Sequence, residues 1–282
     1  MPRGMTRNGR PRVNALLAIG LLVLSGLACS RLRPKRPLKW HLTLELNDDT
    51  PDREAAVAQT VGVIKKRLDA LRVSNFEVQS QRNGRILLNL PPIADPERLK
   101  SIITAGGKLE LTHVISAENP APVQTYSSKE AAIASLDSGG MVPANRRVLP
   151  YVEQLDFTTP DQVSKPKSAK WVVVESPVII DGSALKDARA ARSYDDHYDI
   201  RFSLNKTGAE KFGQWTGVNI NEYLGVVLND EVKSIAYIRS QITDEAQITG
   251  SFTQQSAEDL ALVLRSGALP APLRIVEERT DN

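Results

Sequence analysis

Cysteine is almost absent from this sequence. Among its 282 residues only Cys29 carries a thiol, so no disulfide can form within the chain and no zinc site built from several cysteines is possible. The single thiol therefore needs an explanation of its own. Its position, directly after an apolar segment, supplies one below.

A basic surplus is also lacking outside the first residues. The formal net charge is +3, but four of the 36 Lys and Arg residues precede the first apolar run, which leaves 32 basic against 33 acidic residues. These four are Arg3, Arg7, Arg10 and Arg12. A nucleic-acid-binding protein needs a basic face to meet phosphates, so we expect no nucleic-acid partner.

Aromatic residues are scarce as well, at 5% of the chain. Hydrophobic residues reach 41% and charged residues 24%, which is typical of folded soluble proteins. The sequence therefore predicts one or two domains with a mainly aliphatic core.

Residues 1–29 have the pattern of an export signal, with a basic start and an apolar stretch from Val13 to Ala28. The stretch ends in small and apolar residues directly before Cys29, which resembles the lipobox of bacterial lipoproteins. That resemblance implies a lipid on the Cys29 thiol and removal of the leader. An uncleaved membrane anchor and ordinary cleavage remain alternatives, although about 16 residues fall short of the roughly 20 that span a bilayer.

The segment 30–37 is basic and rich in proline, which favours a short tether beside the lipid headgroups. No segment after the leader is long and apolar enough to span a membrane. We expect the body to be held at the periplasmic face of the plasma membrane. The outer membrane is possible too, because Ser30 follows the cysteine where an aspartate commonly retains lipoproteins at the inner membrane.

Hydrophobic periodicity predicts six elements between residues 38 and 115. A strand at Trp40–Leu46 precedes a helix with Thr50 as its N-cap, and two strands then flank the turn Asn83-Gly84. A second helix starts after Asp95, stops at Gly106-Gly107, and is followed by a strand at Lys108–Ile115. The order βαββαβ is that of the ferredoxin-like fold.

The remaining chain predicts a second α/β subdomain. Residues 116–170 have weak periodicity and are expected to form a flexible insertion with one short helix at Ser128–Leu136. Later signals are a capping box from Thr207 to Glu210, a hairpin around Asn229-Asp230, and a buried helix that ends at Gly267. We expect two further strands at Ala246–Phe252 and Leu273–Glu277.

Several strings of residues resemble the SecD family of protein-export subunits. They are Val61–Leu71, Gly106–Glu110, Phe202–Asn205, Val226–Val232, Ala246–Thr253 and Leu264–Leu273. The last is the most specific, because several Gly, Pro and Ala at fixed spacing rarely recur by chance. The resemblance covers most of residues 55–115 and 180–279.

The resemblance implies an α+β fold with a ferredoxin-like βαββαβ base and an inserted α/β head. The base would consist of residues 38–115 and 242–279, and the head of residues 116–241. In the family the head is thought to hold emerging preprotein and to swing as protons flow through the membrane part.

Two departures from the family pattern limit what the resemblance implies. The Gly-Leu-Asp-Leu-x-Gly-Gly stretch of the family is replaced here by Arg36–Leu42, and the chain stops at Asn282, where the family continues into membrane helices. Without intramembrane ionisable groups a body cannot couple to a proton gradient alone. We therefore expect passive work, or work shared with a translocase partner.

The residue types that carry catalysis are scattered through the sequence. The histidines His41, His113 and His197 lie far apart, and Asp195-Asp196 beside His197 is expected to be a solvated loop rather than a metal site. The acid pairs Asp48-Asp49 and Glu277-Glu278 are expected to be exposed charges. No phosphate loop or nucleophile elbow occurs, so we expect no enzyme, no cofactor and no metal.

Two hypotheses about function remain open. In the first, a SecD-like module assists protein export by binding emerging polypeptide through strand addition or an apolar groove. In the second, an adaptor or structural envelope lipoprotein reuses the fold to bind another protein. Fold alone does not separate the two hypotheses.

Overall fold

A computed structural model describes residues 37–47, 50–82, 84–115, 125–151, 170–193, 197–243 and 245–281. The leader with Cys29 and the tether up to residue 36 lie outside these ranges. So do Asp48-Asp49, Asn83, Asp195-Asp196 and the stretches 116–124 and 152–169 of the expected insertion. The described residues belong to one compact unit, residues 35–282.

The described residues mix α-helices and β-strands. The helices are α1 (Arg53–Ala70), α2 (Pro96–Thr104), α3 (Lys129–Ala134), α4 (Lys206–Val218) and α5 (Gln254–Ser266). The strands are β1 (Trp40–Leu46), β2 (Glu77–Ser80), β3 (Arg85–Leu90), β4 (Leu109–Val114), β5 (Arg146–Tyr151), β6 (Lys170–Glu175), β7 (Ile180–Asp181), β8 (Leu185–Arg192), β9 (Tyr198–Leu204), β10 (Tyr223–Leu228), β11 (Glu231–Tyr237), β12 (Glu245–Phe252) and β13 (Leu273–Thr280).

The first sheet is antiparallel and has the strand order β13-β1-β3-β2. Alternate residues of β1 and β3 point into one core, which explains the period-two pattern of both strands. Helices α1 and α2 cover this face, with Ile64, Leu68 and Ile103 completely buried against the sheet. One hydrophobic core therefore joins the beginning of the described chain to its end.

The strand β4 does not belong to the first sheet, and this corrects the expected βαββαβ unit over residues 38–115. Its place at the edge beside β1 is taken by β13, from the other end of the sequence. Five of the six residues of β4 are buried, and β4 pairs with β10, β6 and β7. A strand buried on both faces fits the inside of a larger assembly better than the edge of a sheet.

The second sheet closes on itself. Strands β4, β10, β11, β5 and β6 each pair with two neighbours in a ring, and β7 adds to β4. Six buried aliphatic side chains form a core within this ring: Val114, Leu149, Val172, Val174, Val227 and Val232. Closure leaves few free strand edges in this part of the molecule.

The third sheet has the order β12-β9-β8, so β12 also lies outside the first sheet, although its residues had been expected in the base. Helix α5 packs along β8 and β9, and Phe202, Phe212 and Leu260 belong to a core shared with β4 and β10. The opposite side of α5 places Leu262 and Val263 against Ile102 of α2. Helix α5 thus contacts both halves of the structure, which explains why its sequence is apolar on most sides.

Several local predictions are confirmed and two N-caps are corrected. The turn Asn229-Asp230 joins β10 to β11 with two positive φ angles, Asp95 caps α2, and α3 lies where the short helix was expected. Helix α1 is capped by Asp52, not Thr50, and α4 by Asn205, not Thr207. In both corrected cases the side-chain oxygen of a nearby Asp or Asn accepts a hydrogen bond from a backbone amide in the first turn of the helix.

Among the described residues, none of the helices combines the length and the apolar character that a membrane crossing requires.

Candidate functional site

His41 lies at the contact between β1 and the end of the described chain. Its Nδ1 is 2.8 Å from Asn89 Oδ1 and its Nε2 is 3.0 Å from Asp281 Oδ2. The hydrogen bond to Asn89, and next the bond and charge of Asp281, raise the pKa of His41 above its ordinary value. The geometry is that of a structural tie between strands.

His113 on β4 is held between two carboxylates. Its Nδ1 is 3.1 Å from Glu175 Oε2 and its Nε2 is 3.3 Å from Glu222 Oε2, while its ring meets the edge of Trp215 at 5.5 Å. Both ring nitrogens are engaged, so the side chain ties β4 to the neighbouring strands and to α4. It offers no free nitrogen for catalysis.

The other candidates are not brought together. His197 is exposed, and its neighbours Asp195-Asp196 are outside the described residues, as is the pair Asp48-Asp49. Glu278 accepts hydrogen bonds from Trp40 Nε1 at 2.9 Å and Lys100 Nζ at 3.1 Å. Within the described ranges, no cluster of three or more His, Cys, Asp or Glu side chains could hold a metal ion.

The most constrained polar group of the described structure is Arg67, which sequence reasoning missed. Its side chain is fully buried. Its guanidinium donates to the carbonyls of Ile102, Ile103 and Ala105 at 2.8, 3.2 and 2.6 Å, and to Ser266 Oγ and Gly267 O at 3.2 and 3.0 Å. These acceptors lie at the C-terminal ends of α2 and α5.

Arg67 itself lies in the last turn of α1, so three helix C-termini converge on one cation. The last carbonyls of a helix lack partners within the helix and carry the negative end of its dipole. A buried guanidinium supplies hydrogen-bond donors to these carbonyls and also places a positive charge at the negative ends of the helix dipoles. Burial lowers the pKa of Arg67 to about 10, which still leaves it charged at neutral pH.

Two glycines complete the arrangement around Arg67. Gly107 has a φ of 72°, and a Cβ there would come within 2.8 Å of Val263 Cγ1 and 3.3 Å of Arg67 Nη2. A Cβ on Gly106 would lie 2.5 Å from Asn229 Oδ1, because the β10–β11 turn docks here through Asn229 Oδ1 and the amide of Lys108 at 3.0 Å. Neither position has room for a side chain.

A ring of four charges continues from the same turn. Lys108 Nζ contacts Glu110 and Asp230 at 3.0 Å each, and Arg147 contacts the same two carboxylates at 2.7 and 2.8 Å. The ring links β4, β5 and the β10–β11 turn at one end of the closed sheet.

We refer to Arg67, Gly106, Gly107, Ser266 and Gly267 as the junction.

The junction lies where the chain leaves the first sheet and its helices after α2, and where it returns to that sheet after α5. Three strings that the sequence analysis singled out meet here, namely Gly106–Glu110, Val226–Val232 and Leu264–Leu273. The signal for Arg67 was an arginine between Ile64 and Leu68 on the apolar stripe of α1. The junction can position two parts of the molecule relative to each other, because its polar groups hydrogen-bond one another across the ends of α1, α2 and α5.

An exposed apolar surface lies far from this junction in sequence, at the end of α4. Val218 is 84% exposed and Ile220 is 43% exposed. The partly buried rings of Tyr223 and Tyr237 are inclined by 56° with their centroids 5.3 Å apart, and Tyr237 Oη donates to Asn221 Oδ1 at 3.1 Å. Tyr223 also packs against the core of the closed sheet. We call these five residues the α4–β10 surface; apolar side chains beside aromatic rings are typical of protein-binding patches.

Comparison with protein families gives two matches. The family described as the SecDF P1 head subdomain matches residues 158–271, and the family described as the N-terminal part of the P1 domain of protein translocase subunit SecDF matches residues 57–116. The first range contains β12 and α5. The second runs from within α1 through β4, and each of the two ranges contributes residues to the junction.

Similar sequences include the protein translocase subunits SecD of Koribacter versatilis (strain Ellin345) and Aquifex aeolicus (strain VF5). They are 33% and 35% identical over 230 and 229 residues, which is 81% and 80% of this chain. The same alignments cover only 39% and 40% of the relatives. The chain therefore spans about two fifths of the length of these relatives.

Two solved structures are similar in fold. A crystal structure of SecDF in its super-membrane-facing form has a TM-score of 0.63 at 26% identity, over 87% of this chain and 32% of that one. A structure of a membrane component SecDF that enhances protein export has a TM-score of 0.60 at 26% identity, over 84% of this chain and 98% of that one.

Proposed function

This chain belongs to the SecD family through its P1 region, and we propose that it acts as an extracytoplasmic module that assists protein export by binding emerging polypeptide. The observation that carries the proposal is the pair of P1 matches, which together extend over most of the described body. The related structure of a membrane component that enhances protein export supports the same role.

We further propose that the first sheet with α1 and α2 is a ferredoxin-like base and that the chain between Ala105 and Ala268 is an inserted head. The order β13-β1-β3-β2 supports this division, since it is the order of a βαββαβ sheet whose last strand arrives after a long insertion. In this proposal the borders lie at the junction instead of at residues 115 and 242, which the pairing of β13 with β1 supports.

Polypeptide binding is assigned in this proposal to the α4–β10 surface. Val218 and Ile220 offer exposed apolar area, and the paired Tyr223 and Tyr237 rings add amphipathic contact surface. Such a surface binds apolar stretches of an unfolded chain with little sequence specificity. We propose that this work needs no catalytic site of the chain's own.

We also propose that a lipid on Cys29 holds the body at the periplasmic face of the plasma membrane. The lipobox-like residues before Cys29 motivate this proposal. The test labels cells with a fatty acid and separates inner from outer membranes. Lipidation is supported if the wild-type protein carries the label and the Cys29→Ser variant is unlabelled and soluble. An uncleaved anchor is favoured if the wild-type protein is unlabelled but stays in the membrane.

The test of the export role is made in a host from which the chain has been deleted. We expect precursors of exported proteins to accumulate in pulse-labelling, and the wild-type chain to restore export. Val218→Asp with Ile220→Asp should restore it poorly because a charge prevents apolar contact. Met141→Asp is the matched control, since Met141 is 73% exposed in a turn outside the surface.

Normal export kinetics in the deletion host would contradict the proposal. If another envelope protein is also lost from its complex in that host, the adaptor hypothesis takes its place.

A further inference from the structure

A groove beside the junction is lined by four arginines. It has a volume of about 410 Å³ and runs between the end of α1, α2, α5 and β8. Arg72 and Arg98 come from the proposed base, and Arg189 and Arg265 come from β8 and α5. The groove is therefore contributed by both proposed subdomains.

The four cations are not equally available. Arg98 makes a bidentate ion pair with Asp259 at 2.7 and 3.1 Å, in which the two charges neutralise each other. Arg265 donates to the carbonyl of Ala188, which is a neutral acceptor. Among the described residues, Arg72 and Arg189 have no side-chain hydrogen bond or ion pair, and both are exposed. Glu258 is the remaining acid of the lining, so the groove retains a positive excess.

Arg72 is held in an unusual backbone conformation. It follows the last residues of α1 with a φ of 56°, and the next amide, of Val73, donates to Leu68 O at 3.0 Å. This is the helix-ending motif that normally places glycine at this position, because a Cβ is strained there. A strained arginine that faces a groove and lacks a partner suggests a functional reason for the side chain.

A second cavity of about 260 Å³ adjoins the first and shares Leu71, Arg72 and Arg98 with it. Its lining is mostly apolar, with Val73, Pro92 and Ile93. Asp95 also lines the second cavity, so the combined groove has four arginines against three acids. It presents guanidinium groups, unpaired within the described ranges, in the first cavity and a shallow, mostly apolar shelf in the second.

We propose that this groove binds an acidic segment of a polypeptide, with Arg72 and Arg189 on its carboxylates and the shelf under a neighbouring apolar side chain. Guanidinium forks match carboxylates in shape and charge. Carboxylate and apolar groups alternate within a few ångströms along an extended chain, which suits adjoining cationic and apolar halves. A phospholipid fits less well, because its acyl chains need a deeper apolar cavity than this open shelf provides.

The inference goes beyond the proposed function, since it concerns a second surface and a ligand charge that the export role does not require. The test uses the full chain and a short fluorescein-labelled peptide in which glutamates alternate with leucines. A control peptide carries glutamines in place of the glutamates. Fluorescence anisotropy is followed at low and at physiological ionic strength.

We expect the acidic peptide to bind, and to bind more weakly as salt screens the charges. Arg72→Gly and Arg189→Gln should each weaken binding about tenfold, the loss expected for one charged hydrogen bond. Arg82→Gln, an exposed arginine outside both cavities, should leave affinity unchanged. The melting temperature of Arg72→Gly should equal or exceed that of the wild type, because glycine relieves the backbone strain, so lost binding cannot be attributed to unfolding.

Three results would overturn the proposal. The first is that the glutamine peptide binds as tightly as the acidic one. The second is that Arg82→Gln weakens binding as much as Arg189→Gln does. The third is that the peptide fails to bind while vesicles of anionic phospholipid, compared with neutral ones, bind in a manner that depends on Arg72 and Arg189. Because peptide binding is measured without export, these results leave the export role standing.

Discussion

At the scale of single residues, the molecule depends on a few polar side chains in places where apolar ones would be expected. Arg67 occupies the apolar stripe of α1, and its guanidinium donates to carbonyls at the ends of two other helices, α2 and α5. Sequence periodicity predicted the helix and its buried side correctly. It could not predict that a cation belongs there, because the acceptors come from segments 35 and 200 positions away.

Replacing Arg67 by methionine should lower the free energy of unfolding by about 3 kcal/mol, since several buried carbonyls lose their donor. Arg67→Lys should lose less, because an ammonium keeps the charge but cannot span both helix ends. Urea unfolding measures the effect. Lys66→Met, at an exposed neighbouring position, is the control and should change stability by less than about 0.5 kcal/mol. An equal effect of both methionine variants would refute the role given to Arg67.

His41 predicts a dependence of stability on pH. Its pKa is raised in the folded state by its bonds to Asn89 and Asp281, so its contribution is complete below the ordinary value of 6.5 and disappears as the pH rises through the raised pKa. Unfolding free energies between about pH 5.5 and 8.5 should therefore fall more for the wild type than for His41→Gln. His197→Gln should keep the wild-type profile. Parallel profiles for the wild type and His41→Gln would count against this assignment.

At the scale of elements, local patterns predicted most helices and strands but not the partners of the strands. The alternation in β1 and β3, the turn at Asn229-Asp230 and the apolar character of α5 were all readable. The pairing of β1 with β13 was not, because nothing in a strand's own alternation specifies which of two later strands fills the edge beside it. The burial of β4 on both faces was not readable either, because polar Glu110 and Thr112 alternate with Leu109 and Leu111 in its sequence.

Gly107→Ala tests how tightly the elements meet at the junction. We expect a loss of about 3 kcal/mol, from the positive φ and from the contact with Val263. Gly139→Ala isolates the backbone part, since Gly139 has a φ of 66° with nothing within 4 Å, and should cost about 1 kcal/mol.

Val263→Ala makes room for the new methyl group. The double variant Gly107→Ala/Val263→Ala should therefore be more stable than the sum of the single losses predicts, by about 1 kcal/mol. Strict additivity in urea unfolding would show that the two positions do not contact each other as described.

At the scale of the whole molecule, α5 is the element that connects the two main parts of the described body. Its two sides pack into different cores, one with β8 and β9 and the other with α2. The base and head proposed here are thus joined by a shared helix as well as by the junction. The family resemblance indicated two subdomains, but their common helix emerged only from the packing.

Two tryptophans can report on the two parts separately. A variant that keeps only Trp40 reports on the first sheet, and one that keeps only Trp215 reports on α4. Their urea midpoints should coincide. Leu262→Ala should shift both midpoints equally, with a loss of about 2 kcal/mol or more, whereas Val276→Ala on exposed β13 should shift neither. Separate midpoints, with only one moved by Leu262→Ala, would mean that the parts unfold independently.

The pairing of β1 with β13 has a mechanical consequence. Trp40 stands opposite Thr280, and the amide of Asp281 donates to Lys39 O at 2.7 Å, so the two flanks of the described chain leave the sheet side by side. Pulling these flanks apart would peel the strands one rung at a time, at low force. Pulling both flanks in the same direction puts no load between β1 and β13 and instead shears the rungs between β1 and β3 all at once, so an attachment shared by both flanks can transmit tension into the body without separating these two strands.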